Sequence, residues 1–383
     1  MFAFQDQDNP QAGARGLTRN QRGLARRLRR AAVGAVCAAA VAVPLAGAAT
    51  AQAATSAPHT LTITWTSLAL RNGWADYGNH TAAPAVTKIN GIVHLKGAIA
   101  TTGTNPVPFT LPAGDRPATN VFVPVDLGAA TAGLLNIAPS GVVSVQADQT
   151  WFDAQTLTSL DGASFAASGT SFTPLTPLNG WTSAAGFASP GARAINGIVH
   201  LRGAITTAGA TGEAFILPAA FRPTHTVYVP VGLCNGNNGR LDISPTGVVD
   251  VEAEGGTIAN ANCGTSLDGA WYATSTTSFT PLTLQTLQNG WHSFGNGFAS
   301  PAVRKVSGIV YLEGAMSGGT NPAAFILPAG FRPTHSVFVS VDTNGANRGH
   351  ALIQPNGQVN VFAEGSFTDE STFTSLDGVS FAP

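Results

Sequence analysis

The sequence predicts an all-β protein in which three tandem antiparallel β-sandwich or jelly-roll-like domains follow a cleaved signal peptide. Two observations predict this fold. A unit of about 107 residues occurs three times, at residues 61–166, 167–273 and 274–383, which we call modules 1, 2 and 3. Within each module, short apolar runs alternate with turn signals at roughly ten-residue spacing, as is typical of sandwiches and jelly rolls. No stretch has a sustained helical period.

Residues 1–53 have the composition of a secretion signal. Seven arginines precede an uncharged run rich in Ala and Val, and Ala51-Gln52-Ala53 forms a small-residue cleavage site. A transmembrane anchor is the alternative, because the run is about as long as a bilayer requires. However, Pro44 interrupts the run, and its Ala and Gly residues are only weakly apolar. We therefore expect a secreted, extracellular protein that is not inserted in a membrane after cleavage.

Removal of this leader changes the charge balance. The leader holds seven of the 19 basic residues and two of the 20 acidic residues, which leaves 12 basic and 18 acidic residues in the remainder. Nucleic acids and anionic membrane surfaces require clustered Lys and Arg. The sequence therefore predicts neither as a partner. A surface rich in Ser, Thr, Asn, Gln and Gly suits sugar-like ligands, and it equally suits inert structural modules.

Cysteine usage agrees with export. Apart from Cys37 in the leader, the chain contains only Cys234 and Cys263, both in module 2. An even pair in a secreted chain predicts a disulfide. A hairpin turn at Pro245-Thr246-Gly247 lies between the two residues and would bring them to the same end of the module. Two free thiols are the alternative.

The strands follow in the same order in each module. An apolar strand carrying Gly-Ile-Val comes first, at Ile92 to Ile99 in module 1, and its side chains alternate between two faces. A valine-rich strand follows, and a proline in the first two copies places it at a sheet edge or at its own end. A Pro-x-Gly hairpin comes next. The linkers, at about 166–170 and 273–275, are so short that the modules must touch or nearly touch.

Four motifs recur in every module: Asn-Gly-Trp, Gly-Ile-Val-x-Leu-x-Gly, Leu-Pro-Ala-x-x-Arg-Pro and Ser-Leu-Asp-Gly. At these motifs the chain resembles the β-rich C-terminal receptor-binding modules of bacteriophage tail fibres and related tail-tip proteins, of which secreted bacterial versions exist. The resemblance implies modules that associate as trimers and recognise cell-surface saccharide or protein. This chain differs in having a secretion leader and no long fibrous stem, so the family's ligand is not carried over.

The resemblance raises the question of how the three modules are arranged. If single modules pack around a threefold axis, three fused copies could do so within one chain, as a pseudo-trimer. Self-association of the chain and a string of three modules without an axis are the alternatives, and the linkers do not decide between them.

The sequence predicts neither an enzyme nor a cofactor or metal site. It contains no H-E-x-x-H, no G-x-S-x-G, no P-loop and no C-x-x-C motif. The histidines do not repeat: His94 and His200 occupy equivalent positions that we expect to face outward, but module 3 has Tyr311 there. The carboxylate pairs do not repeat either.

Residues that recur in all three modules are expected to serve the fold. The Trp of Asn-Gly-Trp is interpreted as part of the core or as an end plug, with sugar stacking as the alternative. The Arg between Leu-Pro and the next proline is expected to pin a loop to carbonyls or to a carboxylate. The Asp of Leu-Asp-Gly is its candidate ion-pair partner or a turn former. These residues are Trp74, Trp181, Trp291, Arg116, Arg222, Arg332, Asp161, Asp268 and Asp377.

Ligand contacts should lie where the modules differ, because loops vary on a constant scaffold. The strongest candidates lie between the valine strand and the hairpin, with two tryptophans as stacking faces: Asn235, Asn237, Asn238, Arg240, Asp342, Asn344, Asn347, Arg348, Trp151 and Trp271. The alternative is that the Asn and Gly residues simply form turns. The sequence thus favours a non-catalytic binding protein with multivalent recognition of a glycan or cell-envelope surface. A structural or assembly protein is the competing interpretation.

Overall fold

The computed structural model describes residues 63–209, 211–275, 278–283 and 286–383. The proposed leader and its cleavage site lie outside the described residues. The secondary structure is almost entirely antiparallel β, with short α-helices, so the predicted all-β class is confirmed.

Module 1 contains a four-stranded sheet, β1-β3-β4-β11, and a second layer formed by the sheets β2-β5-β10 and β6-β9-β8-β7. Its elements are β1 Thr66–Ser67, β2 Trp74–Asp76, β3 Ala85–Ile89, β4 Ile92–Lys96, β5 Ala98–Thr101, β6 Phe109–Thr110, β7 Val121–Asp126, β8 Ala132–Ile137, β9 Val142–Ala147, α1 Trp151–Thr156, β10 Thr158–Ser159 and β11 Ser164–Ala166.

Module 2 repeats this arrangement, with sheets β12-β14-β15-β22, β13-β16-β21 and β17-β20-β19-β18. Its elements are β12 Thr173–Pro174, β13 Trp181–Ser183, β14 Gly191–Ile195, β15 Ile198–Arg202, β16 Ala204–Thr207, β17 Glu213–Ile216, β18 Val227–Gly232, β19 Asn238–Ile243, β20 Val248–Ala253, α2 Ala259–Asn262, β21 Thr265–Ser266 and β22 Trp271–Ala273.

Module 3 has the same order of strands, but its second layer is one continuous sheet, β24-β27-β32-β29-β30-β31-β28, beside the sheet β23-β25-β26-β33. Its elements are β23 Thr280–Pro281, β24 His292–Ser293, β25 Ala302–Val306, β26 Ile309–Glu313, β27 Ala315–Ser317, β28 Ala323–Ile326, β29 Val337–Thr343, β30 Arg348–Ile353, β31 Gln358–Ala363, α3 Phe367–Thr372, β32 Thr374–Ser375 and β33 Ser380–Phe381.

Each module is a sandwich with its own core. In module 1, Leu95 of β4 and Val123 of β7, which belong to different sheets, are buried in one apolar cluster. Comparable clusters fill modules 2 and 3. Pro124 lies in β7, which is the last strand of its four-stranded sheet, where its missing N–H is tolerated.

The predicted strand from Ile92 to Ile99 is interrupted. Gly97 separates β4 from β5, and β5 pairs with strands of the other sheet. Its φ of +95° turns the chain from one layer to the next, a conformation that glycine adopts without steric cost. A Cβ atom at this position would lie 2.5 Å from the carbonyl oxygen of Ala82. The alternation of apolar residues therefore continues across a corner between two sheets.

The three modules contact one another in cyclic order. Hydroxyl groups at equivalent positions donate hydrogen bonds to backbone carbonyls of the next module: Ser159 to Phe338 at 2.6 Å, Ser266 to Phe122 at 2.7 Å and Ser375 to Tyr228 at 2.7 Å. Isolated parallel bridges follow the same cycle, at Thr81–Ser336, Asn120–Phe187 and Thr226–Phe298. Each module therefore donates to one neighbour and accepts from the other.

A further apolar cluster joins the modules at the Gly-Ile-Val strands. It combines Trp65 and Ile89 of module 1 with Ile198 and Trp271 of module 2 and with Ile309 and Tyr311 of module 3. The cyclic polar contacts are thus accompanied by apolar burial among all three modules.

Candidate functional sites

Four of the sequence-predicted ligand residues are buried between modules and are not accessible to a ligand. Asn238, Arg240, Asp342 and Arg348 are each exposed by 7 % or less. The alternation of side chains along β19, β29 and β30 turns them toward the neighbouring modules rather than toward solvent. The expectation that these four residues contact a ligand is therefore wrong, and they serve contacts between modules instead.

These buried polar groups bind each other across module boundaries. Arg240 of β19 contacts Glu252 of its own module at 2.6 Å and Asp342 of module 3 at 3.3 Å. Arg348 of β30 donates to the carbonyl oxygen of Val231 in module 2 at 3.0 Å. The guanidinium groups thus join modules 2 and 3. Because the Arg240–Asp342 pair is buried, removal of either partner would leave the other charge uncompensated.

A histidine links module 3 to module 1 in the same region. Nδ1 of His350 lies 3.0 Å from Oδ1 of Asp126, and both residues are buried. Burial raises the pKa of Asp126, and the contact with His350 opposes that rise. We call Asp126, Asn238, Arg240, Asp342, Arg348 and His350 the inter-module centre.

One carboxylate from each module converges on Asn238. Its Nδ2 lies 2.9 Å from Glu254, 3.4 Å from Glu364 and 3.5 Å from Asp148. Burial, together with the neighbouring carboxylates of Glu254 and Asp148, raises the pKa of Glu364 to about 7. The amide therefore lies among three acidic groups that repel one another, and the positive charge of Arg348 opposes this repulsion.

The remaining loop candidates stay accessible. Asn235 and Asn344 are exposed in the equivalent loops of modules 2 and 3, although at neighbouring positions, and Asn237 and Asn347 are half-buried. Nδ2 of Asn237 donates to the carbonyl oxygen of Cys234 at 3.1 Å, which is a turn contact. The disulfide Cys234–Cys263, predicted from the sequence, ties this loop to the chain after α2.

The two tryptophans proposed as stacking faces do not present open faces. Trp271 is fully buried and packs edge-on against Tyr311 of module 3, with ring centroids 4.6 Å apart. Trp151 is half-buried, and its indole N–H donates to the carbonyl oxygen of Gly103 at 2.9 Å. Trp271 is therefore removed from the candidate ligand residues, because no ligand can reach it without separating two modules.

The repeated Trp, Arg and Asp residues act on the backbone of their own modules. The buried indoles of Trp74, Trp181 and Trp291 donate to the carbonyl oxygens of Asn105, Thr211 and Asn321. Nε of Arg116, Arg222 and Arg332 donates to the carbonyl oxygens of Leu111, Leu217 and Leu327, at 3.1, 2.9 and 2.8 Å. Oδ1 of Asp161, Asp268 and Asp377 accepts the N–H of Gly97, Gly203 and Gly314. The repeated ion pair between these Arg and Asp residues does not form.

His94 and His200, expected to face outward, are both buried, with 6 % exposure. They line a small cavity together with Tyr311, so that one equivalent side chain from each module faces the same space. Burial lowers the pKa of His94 to about 4 and that of His200 to about 3. The outer face of each isolated strand is thus an inner face once the modules pack.

Sequence reasoning missed a groove on module 1. It has a volume of about 670 Å³ and lies between β2, β5 and α1, where Phe152 borders it beside Gln155 and Thr102. The signal was present in the repeat: Phe152 corresponds to Ala259 of module 2 and Thr368 of module 3.

Within the residues that the structure describes, no group of three or more His, Cys, Asp or Glu side chains is arranged to hold a metal ion. None of the helices in the described ranges has the length and apolar character needed to cross a membrane. Comparisons of the chain with protein families, with curated proteins and with solved structures found no match.

Proposed function

We propose that this chain is a secreted, non-catalytic binding protein whose three modules pack as a pseudo-trimer and recognise a glycan or another polymer of a cell envelope. The cyclic contacts between equivalent positions of the modules carry the proposal. They hold the outward loops of the three modules in a constant arrangement, as a receptor-binding head requires. The resemblance to tail-fibre modules, which associate as trimers, agrees with this arrangement.

Secretion is supported by two features of the chain. The leader has the charge and apolar pattern of a signal peptide. The disulfide Cys234–Cys263 is of a kind that persists outside the reducing cytosol.

More than one module has an exposed variable loop that would serve recognition. Asn235 and Asn344 are exposed in the equivalent loops of modules 2 and 3, and their amide groups suit saccharide hydroxyls. Because packing keeps the loops at a constant separation, two weak contacts to a repeating polymer would gain apparent affinity through effective concentration.

The test is an array of glycans and cell-wall polymers probed with the purified full chain and with the double variant Asn235→Ala/Asn344→Ala. We expect saturable binding to a restricted set of polymers, with weaker binding by the double variant. A blank array with a folded sample would refute the binding function.

A structural or assembly protein is the second candidate, favoured by exposed apolar side chains on module 2. Ile216 of β17 is 45 % exposed and Leu178 is 36 % exposed. The two lie near each other, because the backbone N–H of Leu178 donates to the carbonyl oxygen of Ala214, which also belongs to β17. Such residues suit contact between chains. Concentration-dependent assembly in sedimentation experiments without any ligand would favour this function.

A further inference from the structure

The groove of module 1 is open because module 1 departs from the repeat at facing positions. Ala75 of β2 pairs with Ala100 of β5, and neither side chain extends beyond a methyl group. The equivalent pairs are Thr182 with Thr206 in module 2 and His292 with Ser317 in module 3. The small pair leaves space between the strands and helix α1.

In the other two modules, hydrogen bonds join the equivalent strand segment to the helix. In module 2 the hydroxyl of Thr206 donates to the carbonyl oxygen of Asn262, at the end of α2, at 2.5 Å. In module 3 the N–H of Gly318 donates to the carbonyl oxygen of Ser371 in α3 at 2.7 Å. In module 1 the connection is made further along, where Trp151 and Gln155 both donate to the carbonyl oxygen of Gly103 at 2.9 Å. These two hydrogen bonds hold α1 against the loop that follows β5, at one side of the groove.

Phe152 stands at the edge of this opening with 67 % of its surface exposed, which makes it the most exposed large apolar side chain in the described part of the chain. It occupies the second position of α1, and the capping box between Thr150 and Asp153 fixes the start of that helix. A rigid helix thus presents an aromatic ring to solvent beside a cleft. The cost of exposing the ring is offset when a ligand covers it.

We propose that this groove binds an uncharged saccharide, with Phe152 stacking on a sugar ring. The proposal rests on the binding function proposed above and assigns its ligand class. A pyranose ring has an apolar C–H face bordered by hydroxyl groups, and the groove offers the matching combination. One aromatic ring stands beside Thr102, Gln155 and Thr156, and the lining contains no charged side chain. Clefts that are mainly apolar, with a few polar groups, are typical of small-ligand sites.

The polar groups at the edge of the groove have bonding capacity left for a ligand. Gln155 uses its Nε2 on Gly103, while its Oε1 accepts no hydrogen bond from the described residues. Thr102 lines the groove and is exposed, so its hydroxyl is accessible to a ligand. A carbonyl acceptor and a hydroxyl next to a stacking ring complement the hydroxyl groups on one edge of a sugar.

The experiment titrates the purified full chain with uncharged hexasaccharides of glucose, mannose, xylose and N-acetylglucosamine in a calorimeter. Phe152→Ala removes the stacking ring. Ala100→Thr places in module 1 the side chain that joins strand to helix in module 2. The matched control, Ile216→Ala, removes an exposed apolar side chain from another module. We expect the first two variants to weaken binding at least tenfold and the control to leave it unchanged.

The outcomes separate the site from the function. If the native chain binds a saccharide and both groove variants bind it equally well, the groove is not the site, while the binding function stands. If the native chain binds none of the hexasaccharides but does bind a polymer on the array, the ligand class assigned to the groove is wrong. If Phe152→Ala instead abolishes self-association in sedimentation, the occupant is a second copy of the chain and the saccharide proposal fails.

Discussion

At the scale of single residues, the junction between the two layers of each module depends on one glycine and one aspartate. Gly97 adopts a φ of +95°, and its N–H is accepted by Oδ1 of the buried Asp161 at 3.0 Å. Burial raises the pKa of this carboxyl to about 7. The Asp of the Leu-Asp-Gly motif therefore accepts the N–H of the glycine at which the chain passes from one sheet to the other. It does not serve as the ion-pair partner of the repeated Arg.

Replacing Gly97 should destabilise the protein more than replacing Gly78, a glycine that also has a positive φ but has open space around it. Gly97→Ala adds backbone strain and places a Cβ atom 2.5 Å from the carbonyl oxygen of Ala82, so we expect a loss on the order of 3 kcal/mol. The control is Gly78→Ala, where φ is +69° and no atom lies within 4 Å of the added Cβ. There the expected loss is about 1 kcal/mol. Urea unfolding measures both, and equal losses would contradict the steric argument.

Glu313 makes stability depend on pH in a predictable direction. The residue ends β26 with no exposed surface, and neither carboxylate oxygen has a hydrogen-bond partner among the described residues. Burial raises its pKa to about 8, against an opposing contribution from Arg304. The neutral form therefore predominates in the folded protein at neutral pH.

Glu313→Gln should flatten the pH dependence of stability. A carboxyl whose folded pKa is raised contributes stability that is fully present below its ordinary pKa of 4.5 and is lost as pH rises through about 8. The amide cannot ionise, so the variant should lose less stability than the native chain between pH 5 and about 9. Melting temperatures across this range test the difference, with the exposed Asp76→Asn as control. Parallel curves for variant and native chain would show that Glu313 does not titrate as argued.

At the scale of elements, one strand of each module accepts a hydrogen bond from a neighbouring module. β7 and β18 each end a four-stranded sheet, whereas β29 lies inside the seven-stranded sheet of module 3, and a carbonyl of each strand accepts a serine hydroxyl from the next module. Polar side chains on β19 and β30 then meet across the boundaries. These equivalent strands therefore carry contacts at every boundary between modules.

The two carboxylates that bind Arg240 should differ in their contribution to stability. Asp342 reaches Arg240 across the module boundary with 1 % side-chain exposure, whereas Glu252 binds it within module 2 with 39 % exposure. Removal of a buried partner leaves an uncompensated charge, so Asp342→Ala should cost about 3 kcal/mol or more. Glu252→Ala should cost no more than about 1 kcal/mol. Urea unfolding measures both losses of stability. Equal losses for the two variants would contradict the argument that burial makes the Asp342 contact the more important one.

At the scale of the whole molecule, the cyclic contacts imply that a single module carries both halves of each interface. Module 2 supplies Ser266 to module 1, and its Tyr228 carbonyl accepts from Ser375 of module 3. In the same way, Phe187 packs on Phe122, with ring centroids 4.8 Å apart, and Tyr228 packs on Phe298 at 4.8 Å. Interfaces of this head-to-tail kind close into rings when the rotation permits.

An excised module 2, residues 167–273, should therefore self-associate as a trimer. Each copy can donate Ser266 to the next and accept from the previous one, and association buries the apolar strand face around Ile198. Sedimentation equilibrium should give a concentration-dependent trimer, and Phe187→Ser should weaken it by removing one side of a ring contact. A folded module that stays monomeric at all concentrations would refute the closed arrangement.

Much of the single-module fold was predictable because it depends on local chemistry. Proline and glycine at Pro139-Ser140-Gly141 set a hairpin, and the alternation of apolar residues marked Ile92 to Ile99 as a strand. The break at Gly97 was missed because the alternation continues unchanged across the corner. Alternation shows which side chains share a face, but it does not show which sheet the chain has joined.

The candidate sites were less predictable, for a physical reason. Differences among the modules directed attention to the loops around Asn238 and Asp342, but such differences are expected both in ligand contacts and in contacts between unlike modules. Only packing separates the two, because it buried Arg240 and Arg348 and left Asn235 exposed. The groove at Phe152 was overlooked because its replacement by Ala259 and Thr368 in the other modules does not show whether the ring is buried or exposed.

The sequence by itself determined the all-β class, the threefold repetition of motifs, the hairpin turns and the disulfide between Cys234 and Cys263. These follow from side-chain periodicity, backbone preferences and cysteine chemistry, which act over short distances or within one module. Tertiary structure alone decided which faces became inner faces, which polar side chains joined the inter-module centre and where a groove stayed open. The first two outcomes depend on contacts between modules, whose segments lie a hundred or more residues apart. The groove depends on how β2, β5 and α1 pack within module 1, and the pattern along each of these segments does not show that packing.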